Sequence, residues 1–336
     1  MIAETECVRP SFGAPLWAAV AFVLTTSTVR ANDVSDELRV GRLEGATKGD
    51  TTSYWSDRVH GSADLTPDVG VDLGGSITHY GMSQGVTRGD IFQVSTGATY
   101  TPIDELAFDL DLALSPTSVN VERDVQVTQL RKGAMRDKTS VLSFDLDAEY
   151  NSAGDSDAET IVGLAIGATD YSTTQAVRLR RLRLQAMRAM FGQPEDASLL
   201  QWQVDLSVTE TLFQDTDVAL AGTYYLYNRD TANSGYYGES VFGRLDIGDG
   251  IPTLPLRYAI RPSLTQRVGP LQVRLLFQYG DYADDRGTSW MGGVKVQCKI
   301  GHPVRLWLSA NVQHDRVDGE TLNNLWLSLG FRWILS

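Results

Sequence analysis

The sequence predicts an all-β fold, a transmembrane antiparallel up-and-down β-barrel of about sixteen strands, with about fourteen as the alternative. Three observations predict it. The first is a two-residue rhythm: Leu106, Phe108, Leu110, Leu112 and Leu114 alternate with Ala107, Asp109, Asp111 and Ala113. The same rhythm recurs at Leu142, Phe144, Leu146 and Ala148, and at Val304, Leu306, Leu308, Ala310 and Val312. A period of two puts every apolar residue on one face of a strand. The second is length, since these runs are near the roughly 9–11 residues that a tilted strand needs to cross a bilayer. The third is continuity, because the pattern runs from residue 53 to residue 336 with no linker between. A soluble sandwich or lipocalin-like barrel also alternates. Its strands, however, are typically only about 5–6 residues long.

The candidate strands lie near 37–45, 53–64, 69–81, 90–100, 106–114, 119–129, 140–150, 160–171, 176–186, 199–212, 217–228, 255–266, 270–281, 288–300, 303–315 and 323–335. The first of these has the least regular alternation. Bacterial barrels join strands by short periplasmic turns and longer outer loops. On that rule Gly301-His302, Val268-Gly269, 213–216, 172–175, 101–105 and 65–68 are the short turns. Segments 316–322, 282–287, 229–254, 187–198, 151–159 and 82–89 are the outer loops. Between 115 and 139 the alternation of long and short connections blurs. The outer loops are rich in turn-forming Gly, Asp, Asn and Ser, as in 151–159 and 229–235. Tyr80, Tyr100, Tyr150, Tyr171, Tyr279 and Trp333 fall at strand ends, where amphipathic rings form interfacial girdles.

Residues 1–31 have the form of an export signal. Ala14 to Val23 is an apolar stretch too short to cross a membrane as a helix, and Val29-Arg30-Ala31 is a small-x-small cleavage site. Residues 32–52 then form an N-terminal segment that could include the first strand, and residues 53–336 form the barrel. Beyond the signal Cys298 is the only cysteine, and its alternation with Val294, Val296 and Ile300 faces it to lipid as a small apolar residue.

The net charge is −13, from 42 acids and 29 bases. This argues against a nucleic-acid partner. The mean hydropathy is −0.17, which suits a barrel whose strands meet lipid with alternate residues only.

The inward residues carry the functional reading. Alternation places Asp109, Asp111, Glu122, Asp124, Asp145, Asp147, Glu149 and Asp205 inside, all from early strands. It places Arg257, Arg261, Arg274, Lys295, Lys299, Arg305 and Arg332 inside, all from late strands. Strand order is position around a barrel, so acids line one arc and bases the facing arc. Such opposition makes a transverse field across a water-filled lumen. In the segment 177–184, a strand places Arg181 and Arg183 inside as candidate contacts for anionic solutes. A helix there would instead gather Leu179, Leu182, Ala186 and Met190 on one face. Tyr225, Tyr227, Trp307 and Trp326 are inward aromatics, which either support the wall or stack on sugar rings.

The stretch from Leu325 to Leu335, with Trp326, Phe331 and Trp333 in alternation, resembles the closing strand of Gram-negative outer-membrane β-barrels. The resemblance implies an outer-membrane location and recognition by the assembly machinery. The opposed charge arcs resemble the constriction of sixteen-stranded porins. That resemblance implies a porin-like channel for small polar or charged solutes, working in outer-membrane lipid without cofactor or metal. Two other classes remain open. One is a structural or export barrel that passes a polymer such as polysaccharide with a periplasmic partner. The other is an outer-membrane enzyme. Against the enzyme, the mature chain holds only His60, His79, His302 and His314, and no HExxH or CxxC spacing. Ser76 and His79, the nearest approach to a catalytic pair, have opposite parity. The chain is expected not to be an enzyme.

Overall fold

The computed structural model describes residues 31–44, 51–80, 86–128, 131–153, 159–179, 196–213, 215–228, 255–301, 303–317 and 319–334. Within strands, the side chains of 31–32, 43–44, 51–52, 80, 86–91, 116–141, 153, 171–179, 196–198 and 320 are not among those described. Fourteen strands follow in order: β1 (Ala31–Glu44), β2 (Thr51–Thr66), β3 (Val69–Tyr80), β4 (Val86–Ile103), β5 (Leu106–Thr128), β6 (Arg131–Ala153), β7 (Glu159–Leu179), β8 (Asp196–Leu212), β9 (Thr216–Tyr227), β10 (Leu256–Val268), β11 (Leu271–Tyr282), β12 (Gly287–Ile300), β13 (Val304–Val317) and β14 (Glu320–Ile334). Each pairs antiparallel with its chain neighbours, and β1 pairs with β14 to close the barrel. Residues 1–30, which hold most of the segment read as an export signal, Arg181 and Arg183, and the segment 229–254 lie outside the described residues.

Fourteen replaces sixteen for a definite reason. The candidates 106–114 and 119–129, the latter as far as Thr128, are one strand, β5, and the candidates 160–171 and 176–186, the latter as far as Leu179, are one strand, β7. β5 and β6 each run 23 residues and β7 runs 21. That is about twice what a bilayer needs. Their far halves stay paired, with Glu122 opposite Arg136 and Ala134 opposite Arg178. They lengthen the sheet on this side of the barrel, where the start of β4 also pairs with β5, Val86 standing opposite Arg123. The expected turn at 172–175 is therefore mid-strand, with Ser172 opposite Ser140.

The merges also move one connection. Segment 151–159 joins β6 to β7 at the end of the barrel that holds Ala31 and Ile334, so it is not an outer loop. That end carries connections of at most five residues while the longest, 180–195 and 228–255, lie at the other, the arrangement of periplasmic and outer ends in bacterial barrels. One of them is Gly269-Pro270 between β10 and β11, where Gly269 takes φ +58. This left-handed conformation strains any residue with a Cβ.

The outward face is an apolar belt. Leu306, Leu308 and Val312 of β13 lie beside Leu325, Leu327 and Leu329 of β14, and all are exposed. Leu110, Leu112, Leu146, Leu164, Ile166, Leu206 and Leu220 extend it around the far side. A water-soluble protein does not leave such a surface bare. In a bilayer the belt meets lipid tails, and closure leaves no strand edge unpaired there. Among the described residues no helix is long and apolar enough to cross a membrane.

Inward-facing glycines admit large rings. A Cβ at Gly330 would stand 2.3 Å from Cζ2 of Trp307, and one at Gly41 would stand 2.5 Å from the Tyr54 ring. Gly330→Ala is thus expected to destabilise the barrel by about 1–3 kcal/mol, through displacement of the Trp307 ring. Urea titration of the barrel in micelles measures this.

Candidate functional site

The lumen is the candidate site, and strand register assembles it in rows. On β4 to β6, Thr99 stands opposite Asp109, and Asp109 opposite Asp147. Next to that row Asp72, Gly97, Asp111, Asp145, Gly167 and Gln203 stand opposite one another across six strands, β3 to β8. Glu149 faces Ala107 and Gly163, and Asp205 faces Ala165. The predicted acids Asp109, Asp111, Asp145, Asp147, Glu149 and Asp205 thus share one wall. The described inward side chains of β3 to β8 include no lysine or arginine.

Neutral donors hold several of these carboxylates. The Thr99 hydroxyl donates to Asp109 at 2.5 Å, Gln203 Nε2 donates to Asp145 at 2.7 Å, and the Thr223 hydroxyl donates to Asp205. The glycines beneath them give the carboxylates room against the wall. A Cβ at Gly97 would lie 2.0 Å from Asp72 Oδ2 and 2.4 Å from Asp111 Oδ1. The sequence reading missed Asp72, whose carboxylate lies 3.2 Å from His60 Nε2. The signal was present, because Val69, Val71 and Leu73 alternate with Gly70, Asp72 and Gly74.

The opposite wall is basic. Arg274 stands opposite Lys295, and Lys299 opposite Arg305, which stands opposite Arg332. Arg261 donates to Thr223 Oγ1 at 2.8 Å and to the Tyr225 hydroxyl at 3.3 Å. Lys295 Nζ lies 5.0 Å from the centroid of the Trp307 ring, within range of a cation–π attraction. Arg332 donates to Asp33, which ties β14 to β1 across the closing seam.

Arg257 departs from the expected inward row. A register shift falls between Leu256 and Tyr258, and the guanidinium pairs with Asp281 at 2.9 Å and with Asp285. Asp285 belongs to the short connection from β11 to β12, so Arg257 is a rim residue at the outer mouth. The backbones of Glu122 and Asp124 lie in the far half of β5, opposite Arg136 and Ala134 of β6.

β1 and β2 add charges that the sequence reading missed. Glu37, Arg39 and Arg58 face inward and are buried, with Arg39 Nη2 donating to Glu37 Oε1 at 3.3 Å. Asp36 and Asp57 fall on the outward face of these strands, where they interrupt the apolar alternation and hid the pattern.

The inward aromatics are wall, not a track. Tyr225, Trp307 and Trp326 are buried, and Tyr225 packs with Leu256, Ala259, Tyr282, Val317 and Leu322 at the outer end. This apolar cluster sits at the outer ends of β9, β10, β11, β13 and β14. Beneath it Asp315 is fully buried, held by Gln313 Nε2 at 2.9 Å and by Asn324 Nδ2 at 3.3 Å. Among catalytic candidates, Ser76 faces inward toward Gln93, while His79 lies against Trp55 on the outer face. Among the described residues no group of His, Cys, Asp and Glu could hold a metal.

The closed antiparallel barrel fold is shared with solved structures. The translocator domain of autotransporter NalP from Neisseria meningitidis aligns over 96% of this chain and 94% of its own, with TM-score 0.52 and 8% identity. The Ralstonia pickettii toluene transporter TbuX aligns over 91% and 90%, with TM-score 0.54 and 13% identity. The Pseudomonas putida toluene transporter TodX aligns over 91% and 89%, with TM-score 0.52 and 13% identity. The chain has the fold of outer-membrane β-barrels. At these identities what this barrel shares with the three is the fold. No protein-family model and no curated protein matches the chain.

Proposed function

We propose that this outer-membrane barrel is a passive, porin-like channel, through which small polar or charged solutes diffuse between an acidic and a basic wall. The observation that carries the reading is the segregation of inward charge. Carboxylates crowd β3 to β8, arginines and lysines crowd β10 to β14, and β1 and β2 carry both signs. A fourteen-stranded barrel is too wide for its own side chains to fill. Opposed walls across water make a transverse field that orders dipolar solutes and disfavours apolar ones. The partners are lipid, the assembly machinery and the solutes themselves.

Single-channel recording of residues 32–336 refolded into a planar bilayer tests this. Ohmic steps are expected, and Arg261→Gln with Arg274→Gln should shift ion selectivity towards cations. Silent insertion would sink the open-channel reading. The apolar cluster at the outer mouth, together with the toluene transporters among the similar structures, favours a second reading in which small apolar solutes enter. Uptake of toluene by vesicles carrying the barrel, faster than by empty vesicles, would select it.

A further inference from the structure

One row of inward residues crosses six neighbouring strands from β11 to β2. In register it is Arg274, Lys295, Ser309, Ser328, Arg39 and Ser56. Every member carries a hydrogen-bond donor, three are cations, and none is a carboxylate. The nearest inward acid on β1 is Glu37, one row nearer the termini and already bonded to Arg39 Nη2. Trp307 sits in that adjoining row, its ring laid over Gly330 and under Lys295 Nζ.

Two donors here lack an acceptor. Arg39 is 7% exposed and Trp307 is 8% exposed, and neither Arg39 Nε nor Trp307 Nε1 makes a hydrogen bond. A buried donor without an acceptor calls for a water or an ion. Three cations along one row favour an anion over a neutral water. Arg274 and Lys295 are only half-buried, so the row is open to the lumen at that end.

We infer that this row is a binding station for an anionic group, a carboxylate or a phosphate, carried by a soluble molecule in the lumen. Arg274 and Lys295 attract it, and Arg39 Nε and Trp307 Nε1 donate to it. The inference deepens the channel reading and rests on solutes reaching the lumen. It places the anionic end of a solute on this wall and leaves the cationic end facing the acids opposite.

Calorimetric titration of the refolded full barrel in neutral detergent micelles tests it, with inorganic phosphate in one arm and acetate in the other. At least one should bind with a single-site isotherm, and the arm that does so names the chemistry. Trp307→Phe removes the indole N–H together with part of the ring over Gly330, and it should weaken binding about fivefold in a barrel whose urea midpoint shows it folded. Lys295→Met should weaken it further. Arg274→Gln, at a half-buried position, serves if Lys295→Met fails to fold. Binding by neither anion, or equal binding by the wild type and Trp307→Phe, overturns the station. A barrel that binds the anion yet passes no current keeps the station and removes the channel. A conducting barrel without the anion-binding signature does the reverse.

Discussion

Leu308→Arg is expected to destabilise the barrel by about 2–4 kcal/mol, while Glu149→Arg costs less than about 1 kcal/mol. Leu308 is 57% exposed on the outward face, between Val296 of β12 and Leu329 of β14. An arginine there must either enter hydrocarbon or drag water and head groups towards the mid-plane. Glu149 is an exposed inward residue, so an arginine in its place stays in water and gains attraction from Asp147 and Asp109. Asn311 is a poor inward control despite its parity. It is 4% exposed, and its Oδ1 fills the space over Gly293, so a larger side chain there must displace the wall. Equilibrium unfolding in urea, read by the shift between folded and unfolded gel mobility, measures both variants. Equal costs would overturn the assignment of faces.

Replacing Asp109, Asp111, Asp145 and Asp147 together by Asn should cut cation preference several-fold and raise stability at the same time. The register sets Asp109 directly opposite Asp147 and Asp111 directly opposite Asp145. Like charges so placed on neighbouring strands repel, at about 0.2–1 kcal/mol per pair. Removing four carboxylates relieves two such pairs and leaves the basic wall unopposed. Reversal potentials across a salt gradient report selectivity, and urea midpoints report stability. If stability rises but selectivity stays unchanged, ions do not pass along the acidic wall. If selectivity falls while stability also falls, the Thr99 and Gln203 bonds to these carboxylates outweigh the repulsion.

Away from register shifts, alternation separates the two faces of each strand. The inward assignments of Asp109, Asp111, Asp145, Asp147, Glu149, Asp205, Arg261, Arg274, Lys295, Lys299, Arg305 and Arg332 all coincide with the register. So does the outward placement of Cys298, opposite Leu271 and Leu306. This is a local property, because the pleat turns each side chain opposite to its neighbour whatever the rest of the chain does. Arg257 escaped because a one-residue register shift re-aims a side chain without leaving a mark in composition. β1 was faint because Asp36 stands on its outward face, where the pattern asks for an apolar residue.

Strand number and the make-up of the lumen belong to tertiary structure. A strand that leaves the bilayer keeps its two-residue period, so nothing local marks the point where β5 and β7 pass from lipid into water. Only their continuous pairing with β6 showed that four candidate segments are two strands. Likewise no residue in the chain announces that Arg39, from the first strand, completes a row begun by Arg274 and Lys295. That row exists because β1 closes on β14, and closure is a contact between the two ends of the chain. The sequence by itself determined a membrane barrel with acids early and bases late. Which charges face one another, and which donors gather without acceptors, was decided by register between strands, a non-local quantity that hydrogen bonds set only once the barrel has formed.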